Sequence, residues 1–331
     1  MSLNSTPNMF AKLREQVLSM EPVQRLVQWI NAIPRPALAL EISTDRISGV
    51  RFSQTGSIEA FAVEPLAEGM IVPSPVDTNI VDALGVQAAM ARVCSRIHAA
   101  GEHAALLLPD PVIRVFLQQF GEFPRSSQEA IPLLQWKLKK SVPFEMKDTS
   151  LSYVRQASRS GGVDVVATIA RLRVIREYEE IVESAGLHPG VVSSSSLAAL
   201  ALLENRCPTL IARVADRSLT TAVIREGALC GYRCTELQVR ADQLSPQVFL
   251  EEIYPLAAYF QDACHEKIES VRISGVGKWL PEFVAPIESE FECEVQPLLQ
   301  MNPLIGHVAE DGLPLVETGL DGLIGWIVSG E

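Results

Sequence analysis

The residues able to do chemistry in this chain are scattered rather than grouped. Five histidines stand at 98, 103, 188, 265 and 307. None has metal-ligand spacing, since His98 and His103 are five apart with no acidic partner between them on one face. Among six cysteines, at 94, 207, 230, 234, 264 and 293, Cys230 and Cys234 are four apart and Cys264 abuts His265. No second pair lies at zinc-ligand spacing, and the set is too sparse for a disulfide framework, so buried free thiols are expected. The run Ser193 to Ser196 lacks the glycines of a nucleophile elbow and stands at a strand-to-helix junction, where serine hydroxyls cap helices. "SGVGKWL" lacks the hydroxyl after lysine and the spacing of a phosphate loop. Two hairpin-like stretches remain. "ALALEISTDRISGVRF" carries Glu41 before a polar turn, and "LIARVADRSLTTAVIREG" carries Arg213 before another. A guanidinium has no acceptor and stays protonated, so Arg213 cannot ligate a metal. Asp45 and Asp216 sit at the turns themselves and read as turn formers.

The elements that must position these residues alternate between strand and helix patterns. From Ala37 the chain gives two β-rich runs and a third strand in "SIEAFAVEPL". A helix over "NIVDALGVQAAMARVCSRIHAAG" follows, then the strands "HAALLLPD" and "VIRVFLQQF". "SSQEAIPLLQWKLKKSV" predicts a helix with Ser127 as N-cap. "LSYVRQA" and "VDVVATIA" predict a hairpin, "RVIREYEEIVESAG" a helix, "GVVSSS" a strand and "SLAALALLENR" a helix. After Pro208 a second hairpin spans Leu210 to Tyr232. It leads into a long helix, the strand "SVRISG", the turn "VGKWL", a helix and a last strand near "CEVQPL". Residues 1–34 read as an amphipathic helical extension broken at Pro22 and ended by "IPRP". Each half opens with a hairpin and continues into helices and strands, the layout of a duplicated α/β fold with a cleft between lobes.

Composition narrows the function classes. At 331 residues the chain exceeds one compact domain, and 47% apolar against 21% charged residues fits a globular protein. A net charge of −12 excludes the overall footprint of a nucleic-acid binder, and Lys137, Lys139 and Lys140 read as a solvated helix face. No apolar run approaches the roughly 20 residues needed to span a bilayer, and the N-terminus has no signal-peptide pattern, so a cytoplasmic location is expected.

Several stretches together resemble the PilM family, the actin-like ATPases of type IV pilus assembly, with cell-division FtsA as a more distant relative. They are "ALLLPD" at 105–110, "EAIPLLQWKLKKSVPFEMKDTSLSYVR" at 129–155, "IVESAGLHPGVVSSSSLAAL", and "VETGLDGLIG" near the end. The resemblance implies an actin-like (ribonuclease H-like) duplicated fold, two lobes around a cleft with a small inserted α+β subdomain. Its first lobe would cover 35–205, with the insertion at about 85–170, and its second lobe 206–331. It further implies Mg-ATP in the cleft, with an Asp in each hairpin ordering Mg²⁺ and a glycine pair beneath the adenine.

Residue by residue, this chain departs from that pattern. Glu41, Ile42, Ser43 and Thr44 stand where the family has Asp-Ile-Gly-Ser, and Arg213, Val214 and Ala215 stand at the second Asp-Ile-Gly. "SGVG" supplies Gly275 but places Val276 at the second position of the glycine pair, with Gly277 after it. Two rescues are open: Arg213 contacting the γ-phosphate itself, or a local insertion that makes Asp216 the acid. The degenerate cleft therefore predicts no cofactor and no resident metal, with ATP and Mg²⁺ only if the cleft is still competent. The function expected is a non-catalytic scaffold in pilus assembly or a related secretion system. Its partner would be the N-terminal cytoplasmic peptide of an inner-membrane PilN-like protein, bound at the inserted subdomain. Self-association, and membrane association through the partner, belong to the same expectation. The alternatives are an active ATPase of this family, a kinase on the same fold, and a membrane-associated filament adaptor like FtsA. The cytoplasmic part of GspL shares the fold and the scaffold role. "GLDGLIGWIVSGE" carries Trp326 but no basic face, so a buried last helix or strand is expected rather than a membrane anchor.

Overall fold

The computed structural model describes residues 36–53, 57–158, 161–203, 207–299 and 320–329. The extension expected over residues 1–34 lies outside the described residues. Strand β1 (Leu38–Ile42) is central because every residue of "LALEI" is buried, which suits a strand covered on both faces. It pairs antiparallel with β2 (Arg46–Phe52), which pairs with β3 (Ile58–Pro65). On its other side β4 (His103–Leu108) and β8 (His188–Ser194) run parallel, giving the order β3-β2-β1-β4-β8.

The second half repeats this plan with β9 (Thr209–Ala215), β10 (Ser218–Arg225), β11 (Ala228–Glu236), β12 (Ser270–Ser274) and β13 (Glu294–Pro297), in the order β11-β10-β9-β12-β13. The hairpin expected over Leu210 to Tyr232 is thus a three-stranded meander. The extra turn is Glu226-Gly227, both at positive φ. That is the conformation of a tight two-residue hairpin, but Glu is not among the residues that usually announce it. The registers of the two halves coincide: Glu41 pairs with Ser48 and Ile42 with Ile47, as Arg213 pairs with Thr220 and Val214 with Leu219. Glu41 and Arg213 therefore hold equivalent positions in the two halves.

Helices α1 (Ala83–Arg96) and α3 (Leu172–Ser184) cover the first sheet, and α5 (Pro246–Cys264) and α6 (Leu280–Phe291) the second. In α3, Val174, Ile175, Tyr178, Ile181 and Val182 recur at helical spacing and are the residues it buries. A third sheet, of order β5-β7-β6, consists of β5 (Arg114–Phe120), β6 (Thr149–Ala157) and β7 (Val163–Arg171). It packs with α2 (Ser127–Leu138) around Phe123, Leu134, Leu138 and Ala167. This small unit runs from Arg114 to Arg171. The helix and strand over Ala83–Leu108, most of which the sequence reading drew into an insertion starting near 85, belong instead to the first five-stranded sheet and its cover. The N-cap of α2 is Ser126, not Ser127: its side chain accepts from the Gln128 amide, while the Ser127 hydroxyl meets that of Tyr153.

Two short helices close the molecule. The helix α4 (Ser195–Ala199) is capped by Ser194, which accepts from the Leu197 amide. The C-terminal α7 (Asp321–Val328) is buried along its whole length and packs on α4. Its Gly325 lies so close that a Cβ there would come within 2.2 Å of the Ala198 carbonyl oxygen. The last helix thus lies against the first lobe, although its place in the sequence assigned it to the second. All six cysteines are free; Cys94 is buried and the others are half-buried.

Candidate functional site

A cleft of about 1240 Å³ opens between the two five-stranded sheets. Glu41, Ser43, Thr44, Arg213, Ala215, Gly275 and Gly277 all line it, so the seven residues singled out in the sequence come together along one surface. Its floor is a buried ion cluster. The Arg213 guanidinium donates from Nε to Asp321 Oδ2 at 2.7 Å and from Nη2 to Glu41 Oε1 at 3.0 Å, and its Nη1 lies 3.5 Å from Asp110 Oδ2. The arginine side chain is only 6% exposed, and those of Glu41, Asp110 and Asp321 are 4%, 1% and 2% exposed.

Asp110 and Asp321 are held by further donors, whereas the second oxygen of Glu41, Oε2, is buried without a partner among the described residues. Asp110 begins a 3₁₀ turn just after β4 and accepts at Oδ1 from the Ser196 amide. Its Oδ2 accepts from the hydroxyls of Ser196 and Thr220. Asp321, in the first turn of α7, accepts from the Ser274 hydroxyl at 2.9 Å. The guanidinium is pulled two ways: burial pushes its pKa down, while Asp321, Glu41 and Asp110 push it up and prevail, so it is raised above the ordinary arginine value.

The remaining sequence candidates have local duties. The Ser43 hydroxyl donates to Asp45 Oδ1 at 2.8 Å and to the Arg46 carbonyl at 3.0 Å, closing the first hairpin turn. Asp216 occupies the second turn with φ of 49° and faces Arg240 at 3.7 Å. Gly275 has a positive φ of 82°, and a Cβ there would fall 1.8 Å from the Val214 carbonyl oxygen. Close approach of β9 to the end of β12 therefore accounts for that glycine without a ligand. Val276 is 5% exposed and belongs to the core under the second sheet. Gly277, at φ of 53°, faces open space.

Mg-ATP, which the resemblance implies, does not fit these residues. A divalent ion at Glu41 would share the carboxylate with a guanidinium. Repulsion between charges of two and one at about 4 Å is roughly 8 kcal/mol at an effective dielectric near 20. Both rescues fail on geometry. Arg213 directs Nε, Nη1 and Nη2 at carboxylates rather than into the open cleft. Nor is there an insertion that would bring Asp216 into the acid's place, because the hairpin registers coincide. Among the described residues, no group of three or more His, Cys, Asp or Glu is arranged to hold a metal ion.

Two members of the cluster, Asp110 and Asp321, carry no motif in the sequence, although both lie in segments that resemble the PilM family. The available signal was a lone acid heading an otherwise apolar segment: Asp321 before "GLIGWIV", and Asp110 after "HAALLLP". A buried run that retains one carboxylate needs a cation for it.

The comparisons agree with this architecture. No curated protein matches the chain by sequence. Among solved structures, a PilM-PilN type IV pilus biogenesis complex shares 16% identity, covers 90% of this chain and 100% of its own, and superposes with a TM-score of 0.71. More distant are a Bacteroides thetaiotaomicron protein with actin-like ATPase fold (12% identity, 87% and 97% coverage, TM-score 0.46) and the cytoplasmic domain of EpsL, an inner membrane component of the Vibrio cholerae type II secretion system (10%, 84% and 94%, 0.48). The fold is actin-like, with two lobes of equivalent topology. The model for the type IV pilus assembly protein PilM matches residues 39–245, a span that runs from β1 through the inserted sheet and the Arg213 hairpin; the chain belongs to the PilM family.

Proposed function

We propose that this protein is a non-catalytic, actin-like scaffold of type IV pilus assembly or a related secretion system, acting in the cytoplasm by binding the N-terminal cytoplasmic peptide of a PilN-like inner-membrane protein. One observation carries the reading: the acid of the first hairpin and two further buried carboxylates close around the chain's own Arg213. Metal-assisted phosphoryl transfer needs a cation to bridge phosphate oxygens and take up developing charge, and a guanidinium locked to three acids cannot be that template. Membership of the PilM family and the fold of the PilM-PilN complex support the choice of partner. No helix among the described residues is long and apolar enough to cross a membrane, so attachment to the inner face would run through that partner.

The test is a MgATP titration followed by thermal melting. A ligand at about 100 times its Kd adds roughly 2.7 kcal/mol to stability. For a chain of this size that is a rise in Tm of roughly 4 °C. No shift is expected at millimolar MgATP, nor any change with EDTA. A magnesium-dependent rise would overturn the reading and put an active ATPase first.

The inserted unit is the expected partner surface. Between Arg114 and Arg171, basic residues outnumber acidic ones by nine to five, in a chain whose net charge is −12. Its helix α2 presents Trp136, 76% exposed, and Lys139 and Lys140 next to it are exposed and make no ion pair among the described residues. A large exposed indole is the kind of anchor that interface centres use, and the lysines beside it would form a charged rim. Trp136→Ala is expected to weaken binding of a synthetic PilN-like N-terminal peptide by at least tenfold in fluorescence anisotropy, with Tm unchanged. Unaltered affinity would move the partner site away from α2.

A further inference from the structure

We infer that Arg213 is an internal latch: it supplies from within the chain the cation that its fold otherwise takes from Mg-nucleotide, and so holds the two lobes in one arrangement without a ligand. The inference rests on the non-catalytic reading above and goes beyond it, since a cleft can lose catalysis and still open and close.

The latch joins three parts of the chain that are distant in sequence. Glu41 and Asp110 come from the first lobe, Arg213 and Ser274 from the second, and Asp321 from α7. The equivalence of the two hairpins makes the pairing direct. An acid in one and a base in the other meet across the cleft floor, where two acids would repel each other unless a cation stood between them. One apolar cluster takes residues from both sheets and from α7: Ala39 and Leu107 of the first, Ile211 and Ala222 of the second, and Leu323 and Trp326 of α7. The inserted sheet is tied down as well. Buried Gln156 donates to the Leu229 carbonyl and accepts from the Leu229 amide, as a paired strand would. At the mouth of the cleft, Arg240 reaches Glu68 of the facing lobe at 3.4 Å. Arg213 is the part of this joint that cannot slide, because its fork must face three buried carboxylates at once, two of them held by other donors, and its burial excludes the water that would otherwise replace them. The partner surface on the inserted unit is then presented at all times, rather than in step with nucleotide turnover.

Hydrogen–deuterium exchange read by mass spectrometry tests this on the full chain. In the wild type, exchange in peptides covering Leu38–Ile42, Thr209–Ala215 and Asp321–Val328 is expected to be slow and unaffected by MgATP or EDTA. In Asp321→Asn, which keeps the side-chain shape and removes one charge of the cluster, the same three peptides are expected to exchange at least tenfold faster. The central strand of the inserted sheet, Val163–Arg171, should keep its wild-type rate. The more drastic Arg213→Met should show the same pattern to a greater degree wherever it folds. Wild-type rates at all three peptides in Asp321→Asn, with MgATP still without effect, would overturn the latch and leave the non-catalytic reading standing. Slowing of those peptides in the wild type by MgATP would overturn both.

Discussion

Replacing Arg213 with methionine lowers the melting temperature by roughly 4–7 °C in the outcome expected from the ion cluster, a loss of about 3–5 kcal/mol. Most ion pairs in this protein predict nothing of the kind. Lys147 with Glu145 and Lys267 with Glu292 are each about 70% exposed, and pairs of that sort contribute from zero to about 1 kcal/mol. Arg213 differs in burial, since no group in its cluster is more than 6% exposed. Burying an intact cluster gains little, because desolvation offsets most of the attraction. Removing a guanidinium that faces three buried carboxylates is another matter, because the acids then lose compensation while staying out of water.

Methionine fills much of the arginine stem's volume, so the loss reads charge and hydrogen bonding rather than a cavity. Arg213→Lys should lie between wild type and methionine, since an ammonium keeps the charge but cannot match the fork. Adding Asp321→Asn to Arg213→Met should recover part of the loss by removing one stranded charge. That sign is opposite to its effect in the wild type, and this reversal is the diagnostic result. The pH dependence follows from the raised guanidinium pKa. A group whose pKa is raised on folding stabilises fully below its unfolded value and loses that effect only as pH rises through the folded one. For arginine both lie beyond the range in which the protein would be studied, so between pH 6 and 9 titration of Arg213 itself should not change the gap between wild type and variant. A melting temperature within 2 °C of wild type for Arg213→Met would mean that the guanidinium does not hold these acids together.

Much of the fold was legible because local pattern and global position agreed. "HAALLL" reads as a strand and "LALEI" as a β-rich run of a hairpin, and both are strands with buried side chains; α3 shows its apolar face at helical spacing. Legibility failed where a residue's meaning depends on distant chain. Nothing near Asp321 says that α7 leaves its own lobe and packs on α4, because the glycines that allow the approach look the same in a loop. The β10–β11 turn was hidden by Glu226, whose positive φ the surrounding meander imposes. In the site, a departure from the expected acid could be read at Arg213, and its chemistry excluded metal ligation. Its three partners lie 172, 103 and 108 positions away in the sequence, and no spacing rule reaches that far. Sequence told what Arg213 cannot do, and only the folded chain tells what it does instead.

Gly275→Ala should cost about 3 kcal/mol and Gly277→Ala only about 1, and the contrast decides what this glycine-rich turn is for. The two positions share the left-handed backbone that a Cβ disfavours, a penalty of roughly 1–2 kcal/mol. They differ in surroundings. A Cβ at 277 meets nothing within 4 Å, whereas at 275 it falls 1.8 Å from the Val214 carbonyl oxygen. That oxygen belongs to β9 one residue after Arg213, and Ser274, just before the glycine, pairs with Arg213 itself. Relief of the overlap must push β9 away from β12, at an overpacking cost of roughly 1–3 kcal/mol, and must shift the guanidinium off its carboxylates. Thermal melting of the two variants should then separate by about 3 °C. Equal, small losses would mean that the turn has room for a side chain and that its glycines answer to a ligand's approach. A large loss at 275 alone means that this glycine holds the strand carrying Arg213 in place, so that a position which in an ATPase would admit nucleotide here serves the joint between lobes.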